Sequence, residues 1–315
     1  MKIVLTDSIT VTKGDVDLGV FEKYGEVVYY DITPPEKVAE RIKDADAVLC
    51  NKTLITKEAM ESAKKLKYIG ILATGYNNVD MEEANRRGIT VCNAGSYSTD
   101  AVSQQVFAYI LNHYNKVSKY ADFVNKGGWQ ESETFAAIAF RTRELAGKKL
   151  GIIGYGSIGQ KVAQIANAFS MQVLIYTRTP KKDSTVEFVD LDTLLKESDI
   201  VTVHCPLNKQ SENMFDRETF SKMKTGAYFI NTSRGGVLEE DALKDALLCG
   251  KLSGAAIDVL NTEPQDKESM LIRLPNLTVT PHIAWAAVES RIRLLNIVED
   301  NLKNYIAGTP KNVVK

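Results

Sequence analysis

The amino-acid sequence predicts an α/β protein built from two doubly wound, parallel-sheet domains. Three observations carry this. Short strands alternate with helical patterns in two separate series. The strands are apolar at nearly every position, as expected where helices cover both faces of a parallel sheet. A glycine pattern, G-x-G-x-x-G, stands between a strand and a helix at the start of the second series.

The first series places strands at Lys2–Thr6, Val27–Asp31, Ala47–Asn51, Tyr68–Ala73 and Thr90–Asn93. Helical patterns fall between them at Pro35–Lys43, Thr56–Lys65 and Met81–Arg87. One long helix is then expected from Asp100 to about Lys126, with apolar positions Val102, Val106, Tyr109, Ile110 and Val117. A polar loop, Asn125–Glu133, and the basic stretch RTRELAGKK read as the linker between domains. The second series has strands at Leu150–Gly154, Val173–Tyr176, Ile200–His204, Ala227–Asn231, Gly254–Val259 and Leu277–Thr280. A long amphipathic helix at Ala286–Tyr305 closes the chain, and a Gly-x-Pro stop follows it.

The length of 315 residues agrees with two domains at about 150 residues each. Lys plus Arg number 39 and Asp plus Glu 40, a net charge of -1, so nothing in the overall charge points to nucleic acid or an anionic membrane. No apolar run approaches the roughly 20 residues of a membrane span, and the start MKIVLTDSIT reads as a first strand, not a signal peptide. Cys50, Cys92, Cys205 and Cys249 lie far apart, so neither a disulfide framework nor a metal cluster is expected, and a reducing cytoplasm fits.

The segment GIIGYGSIG, residues 151–159, is the strongest local signal. Gly154 permits a tight turn, Gly156 lets backbone approach a pyrophosphate, and Gly159 lets helix and strand pack closely. Tyr155, Ser157 and Ile158 complete the loop whose N–H groups would meet the phosphates. Where a site for NAD places an acid at the end of the second strand, Thr177 and Arg178 stand here, with Lys181 and Lys182 soon after and no acid before Asp183. A guanidinium binds a 2′-phosphate and a carboxylate repels it, so NADP(H) is the expected cofactor and NAD(H) the alternative.

Ligands in such sheets sit beyond the carboxyl ends of the strands. Those ends carry His204 and Pro206, then Asn231-Thr232-Ser233-Arg234, then Asp258, and finally His282, with Glu263 soon after Asp258. Hydride transfer to a carbonyl needs a proton donor near neutrality, which an imidazole paired with a carboxylate supplies, and a cation for an anionic substrate. His113 falls inside the long helix and reads as a packed residue. Composition leaves His204 and His282 both open as the donor.

Taken together, the blocks ATGYNNVD (73–80), GIIGYGSIG, HCPL (204–207), NTSRGGVLEEDAL (231–243), GAAIDVLNTEP (254–264) and TPHIAW (280–285) resemble the D-isomer-specific 2-hydroxyacid dehydrogenases, in that family's order and over nearly the whole chain. Within the family they look most like the glycerate dehydrogenase, or hydroxypyruvate and glyoxylate reductase, branch. The resemblance implies Arg234 as the substrate-carboxylate arginine, His282 as acid–base residue and Glu263 as its partner. It implies Thr74 and Gly75 as backbone donors, Trp285 as a substrate-pocket wall, and Asp258 near the nicotinamide amide. His204, Pro206, Thr232 and Ser233 then belong to the cofactor pocket. It further implies two Rossmann-like domains with an active-site cleft between them, a discontinuous substrate domain (1–97 plus 288–315), a dinucleotide-binding domain (98–287) and a homodimer. The expected reaction is reduction of a small 2-oxo acid to the D-2-hydroxy acid. Two competing readings are a non-catalytic, dinucleotide-sensing interaction protein of the same fold, like a co-repressor, and a formate- or phosphite-type dehydrogenase.

Overall fold

Two parallel sheets, each covered on both faces, organise the chain in the computed structural model, which describes residues 1–314 apart from 181, 182, 184, 267 and 268. The chain divides into two compact units: Met1–Ser98 with Trp285–Lys315, and Thr99–Ala284. The return to the first unit falls at 284/285, three residues before the expected 287/288. The reason is Trp285, whose ring packs edge-on against Tyr97 with centroids 6.0 Å apart.

The first unit has strands β1 (Lys2–Leu5), β2 (Glu26–Tyr29), β3 (Ala47–Cys50), β4 (Tyr68–Ile71) and β5 (Thr90–Cys92) in the order β2-β1-β3-β4-β5, all parallel. Side chains alternate across a strand. Val4, Val48, Ile69 and Ile71 therefore face one layer, with Val38 and Ile42 of helix α1 (Val38–Ile42), Ala59 and Met60 of α2 (Lys57–Ser62) and Ala84 of α3 (Met81–Arg86). Ile3, Leu5 and Leu49 face the other, where the C-terminal helix supplies Leu294, Leu295, Val298 and Leu302. Without that helix this face would stand open to water, which is why the unit is discontinuous in sequence.

The second unit opens on α4 (Thr99–Asn115) and α5 (Val117–Asn125). One continuous helix is expected over 100–126; the structure breaks it at Lys116, which takes a left-handed conformation with φ 58°. Seven parallel strands follow: β6 (Lys149–Ile153), β7 (Gln172–Tyr176), β8 (Glu187–Phe188), β9 (Ile200–Val203), β10 (Ala227–Asn231), β11 (Leu252–Ile257) and β12 (Leu277–Val279). Helices α6 (Ser157–Ala168), α7 (Leu191–Glu197), α8 (Arg217–Lys222) and α9 (Glu240–Leu248) connect them, and α10 (Val288–Ile306) is the returning helix of the first unit. The sheet order is β12-β11-β10-β9-β6-β7-β8, so the direction of winding reverses between β6 and β9. In open α/β sheets that reversal is where ligands bind.

His113 on α4 is packed. Its ring stacks on Tyr228 at 3.9 Å between centroids, its Nε2 lies 3.1 Å from Ser253 Oγ, and burial pushes its pKa down to about 4.

Candidate active site

The three fingerprint glycines have separable physical roles. Gly154 has φ 96°, and a Cβ there would lie 2.8 Å from the carbonyl carbon of His204. The turn at the end of β6 is thus pressed against the end of β9, across the reversal point. A Cβ on Gly159 would lie 2.2 Å from the Gly154 carbonyl oxygen, so only glycine lets α6 sit this close to its strand. Gly156 meets nothing within 4 Å: the space above it is open. Gly156 is also the N-cap of α6 and supplies no capping side chain, whereas α7 and α8 are capped by Asp190 and Asp216. The N-cap thus supplies no side-chain acceptor to the first turn of α6, a helix end that suits an anion. Ser157 is the first residue of α6, Ile158 packs on the core beneath, and Gln160 Nε2 bonds the Tyr155 carbonyl at 3.0 Å. The Thr232 hydroxyl at the end of β10 is buried with no hydrogen-bond partner. An open glycine cradle, a helix N-terminus with no capping side chain and an orphaned hydroxyl at one sheet edge fit a dinucleotide.

At the end of β7, Thr177 is half-buried and Arg178 exposed, with Nη1 donating to Gln210 Oε1 at 2.8 Å. Asp183 lies beyond the strand end, but its carboxylate accepts from the Tyr155 hydroxyl and, at 2.9 Å, from the Thr185 N–H. The Thr185 hydroxyl, which donates to Asp183 Oδ1 at 2.6 Å, and then those bonds hold the Asp183 carboxyl below the usual range. Lys181 and Lys182 lie outside the described residues. His204, at the end of β9, donates its N–H to the Ile153 carbonyl at 2.7 Å and sets its ring 3.0 Å from Thr202 Oγ1. Burial pushes its pKa down to about 3, so this imidazole is neutral and poorly suited to donate a proton near pH 7. Pro206 follows and accepts from Ser211 Oγ at 2.7 Å.

The reactive side chains are built by local turns. Asn231 ends β10 and shapes the next turn: its Oδ1 accepts from Ser233 N (2.9 Å) and Oγ (2.8 Å), and its Nδ2 donates to the Arg234 carbonyl (2.9 Å). The sequence places Asn231 at this strand end but assigns it no role, although an Asn-x-Ser step after a strand is an Asx-turn signal. Arg234 is half-buried, with Nη1 on the Ser233 carbonyl at 2.8 Å. At Gly235 a Cβ would lie 2.1 Å from the backbone of Leu260, so the Arg234 turn lies directly on the segment that carries Glu263.

Glu263 Oε1 accepts from the Leu260 N–H at 2.8 Å, and its Oε2 lies 2.7 Å from His282 Nδ1. A carboxylate only accepts, so the proton of this bond sits on Nδ1 and Nε2 faces away from Glu263. His282 itself has φ 56°, a left-handed conformation unusual for a residue with a side chain. Its N–H donates to the Asp258 and Thr280 carbonyls at 2.8 and 3.0 Å.

Asp258 is buried, and both its carboxylate oxygens are used by the segment that carries His282. Oδ1 accepts from the Thr280 hydroxyl and the Ile283 N–H (2.9 Å), and Oδ2 from the Ala284 N–H (2.8 Å). Burial pushes the Asp258 carboxyl up, against these donors and the nearby His282. Asp258 is thus the anchor of the 280–284 turn. In the first unit, Thr74 is exposed, its hydroxyl donates to the Gly95 carbonyl, and its own carbonyl accepts from Asn93 Nδ2 at 2.6 Å. Gly75 follows it, half-buried. Among the described residues no group of three or more His, Cys, Asp or Glu is placed to hold a metal ion, and no helix is long and apolar enough to cross a membrane.

The family described as D-isomer specific 2-hydroxyacid dehydrogenase, NAD binding domain, matches residues 107–284. The chain is 40% identical to a hydroxypyruvate reductase of Blautia hydrogenotrophica, over all of this chain and 99% of that protein. The chain belongs to the D-isomer specific 2-hydroxyacid dehydrogenases. A second member of this dehydrogenase family, the glycerate dehydrogenase of Methylorubrum extorquens, is 37% identical over 91% of both chains. Among solved structures, an acyclic imino acid reductase in complex with NADPH and D-arginine superposes with a TM-score of 0.89 at 31% identity, covering both chains fully. The two doubly wound parallel sheets are those of this dehydrogenase family.

Proposed function

We propose that this protein is a cytoplasmic, NADP(H)-preferring reductase that converts a small 2-oxo acid, of the hydroxypyruvate or glyoxylate type, to its D-2-hydroxy acid. One observation carries the reading: the His282 Nδ1–Glu263 Oε2 contact of 2.7 Å at the carboxyl edge of the sheet, next to the turn bearing Arg234. A bound reduced nicotinamide supplies hydride to the carbonyl carbon. His282 Nε2 gives its proton to the developing alkoxide, and Glu263 steadies the charged imidazole. Arg234 takes the substrate carboxylate in a two-point contact that orients the carbonyl. By the family resemblance, Thr74 and Gly75 are assigned as backbone donors to a substrate carboxylate and Trp285 as an apolar wall for the substrate. Gly154 to Gly159, Thr177, Arg178, His204, Pro206, Thr232, Ser233 and Asp258 are assigned to the cofactor. The scattered, unpaired cysteines support a reducing compartment.

A panel of 2-oxo acids with NADPH and NADH, followed by loss of reduced-nicotinamide absorbance, tests this. Turnover of hydroxypyruvate or glyoxylate supports it. Dinucleotide binding with no turnover of any acid favours the non-catalytic reading. Oxidation of formate or phosphite favours the third.

Arg178 is the proposed partner of the 2′-phosphate. Arg178→Ala is expected to lower the NADPH-to-NADH ratio of kcat/KM by about 10- to 100-fold, the worth of a hydrogen bond to a charged group. A wild-type enzyme that prefers NADH, with a ratio unmoved by the substitution, would sink the assignment.

A homodimer is expected through the second unit. Phe135 and Ile138 are 93% and 87% exposed, and Val117, Val124 and Trp129 are exposed nearby in sequence. Apolar exposure on this scale favours a partner surface. Sedimentation of the wild type should give a dimer, and F135D/I138D should shift it to monomer. A monomeric wild type would contradict this.

A further inference from the structure

The hydrogen bonds beneath His282 extend past Asp258 to α4. Thr280 Oγ1 donates to Asp258 Oδ1 and lies 2.5 Å from the Tyr109 hydroxyl. A threonine hydroxyl has a single proton. Since that proton goes to Asp258, the Tyr109 hydroxyl must be the donor to Thr280. The order is therefore fixed: Tyr109 O–H to Thr280 O–H to the Asp258 carboxylate. Tyr109 is 4% exposed.

We propose that Tyr109 and Thr280 are positioning residues for the reduction: they hold the Asp258 carboxylate in the orientation that grips the 282–284 backbone and so aims His282. This rests on the reading of His282 as proton donor.

First, Asp258 is a buried carboxylate, and a buried charge persists only when donors satisfy it. Among the described residues its donors are the Thr280 hydroxyl and two backbone N–H groups, so Thr280 is the one donating side chain there. Second, those two N–H groups belong to the residues immediately after His282, and the His282 N–H bonds the Asp258 carbonyl. Asp258 thus clasps His282 from both sides along the chain, against a left-handed backbone that would otherwise relax. Third, the Asp258 N–H donates to the Asn231 carbonyl at 2.9 Å, and the Asn231 side chain shapes the Arg234 turn. A shift of Asp258 would be felt by both reactive side chains. Hydrogen bonds in such a chain polarise one another, so the outer member Tyr109 supports the inner one.

The test compares T280V, T280S and Y109F with wild type. T280V keeps the shape and removes the hydroxyl. It should lower kcat with the preferred 2-oxo acid about 10- to 100-fold, the scale of a misplacement near 1 Å, while KM for that acid changes less than threefold. T280S restores the hydroxyl and should recover most of the rate. Y109F should act in the same direction, by about threefold to tenfold. The chain has three histidines, so selective ¹³C labelling gives three imidazole Cε1–H resonances, and the His282 signal is the one lost in H282A. That signal should move in T280V and Y109F and return in T280S, with His113 and His204 unchanged. Unchanged rates and an unchanged His282 resonance overturn the relay. So does a loss in T280V that T280S leaves unrepaired. Should T280V fail to fold, Y109F decides by the same two measurements. If the wild type reduces no 2-oxo acid but the His282 resonance still follows the hydroxyl, the proposed function fails and the relay stands.

Discussion

His282→Ala is expected to lower kcat for 2-oxo acid reduction by about 10²- to 10⁴-fold, the usual cost of removing a general acid, with KM for NADPH nearly unchanged. The expectation follows from the bond partners of the ring. Nδ1 is committed to Glu263 Oε2 at 2.7 Å, so a substrate oxygen would be met through Nε2. His204 is a poor substitute, because burial holds it neutral with a pKa pushed down to about 3, and His113 is stacked on Tyr228. Glu263→Gln gives a companion result with a defined sign. The carboxylate fixes the ring through Nδ1 and offsets the positive charge it carries before the proton leaves, whereas an amide can only fix the ring. Glu263→Gln should therefore lower kcat about tenfold or more, with KM for NADPH nearly unchanged. Steady-state rates read both. An H282A enzyme within a few-fold of wild type would remove the proposed role.

Much of this site was legible in the sequence because the relevant residues stand at strand ends, where topology gathers them. Strand ends follow from apolar runs, and those runs are long and clear. The glycines were legible for the same reason: a strand before and a helix after leave few other uses for G-x-G-x-x-G. The choice of His282 over His204 was not available from composition. Both follow a strand, and Glu263 is 19 residues from His282 along the chain, so their pairing depends on how two loops fold. It was the family resemblance that favoured His282, and the structure supplies the physical contrast, one ring paired and the other buried.

Other features left no mark in the pattern of side chains. The break at Lys116 is a backbone event at a residue with ordinary helical propensity. β8 is two residues long and pairs only at the sheet edge. The grip of Asp258 on the 280–284 turn uses mostly N–H groups of the main chain, which every non-proline residue carries, so no residue type advertises it. Gln210, which orients Arg178, sits in a loop whose path the sequence does not determine.

Arg234→Ala is expected to raise KM for the 2-oxo acid and also lower kcat, with kcat/KM falling about 10²- to 10³-fold. The size follows from the 2–5 kcal/mol cost of truncating one partner of a desolvated charge pair. Both constants should move because the guanidinium would do two things: bind the carboxylate in the ground state, and hold the carbonyl at the angle hydride transfer needs. Small substrates make the second effect large, since a two- or three-carbon acid has few other atoms through which to be oriented. Arg234 is suited to this by its supports. Asn231 holds its carbonyl, the Ser233 carbonyl takes Nη1, and glycine at 235 lets the turn lie against Leu260. The rest of the guanidinium fork remains for a carboxylate, which it matches in plane and spacing. Arg234→Lys is the sharper variant. It keeps the charge but loses the fork, so KM should recover in part while kcat stays low. If R234A left KM for hydroxypyruvate unchanged, the carboxylate would have to be bound elsewhere. If R234K restored both constants fully, charge alone would suffice and the two-point orientation would be wrong.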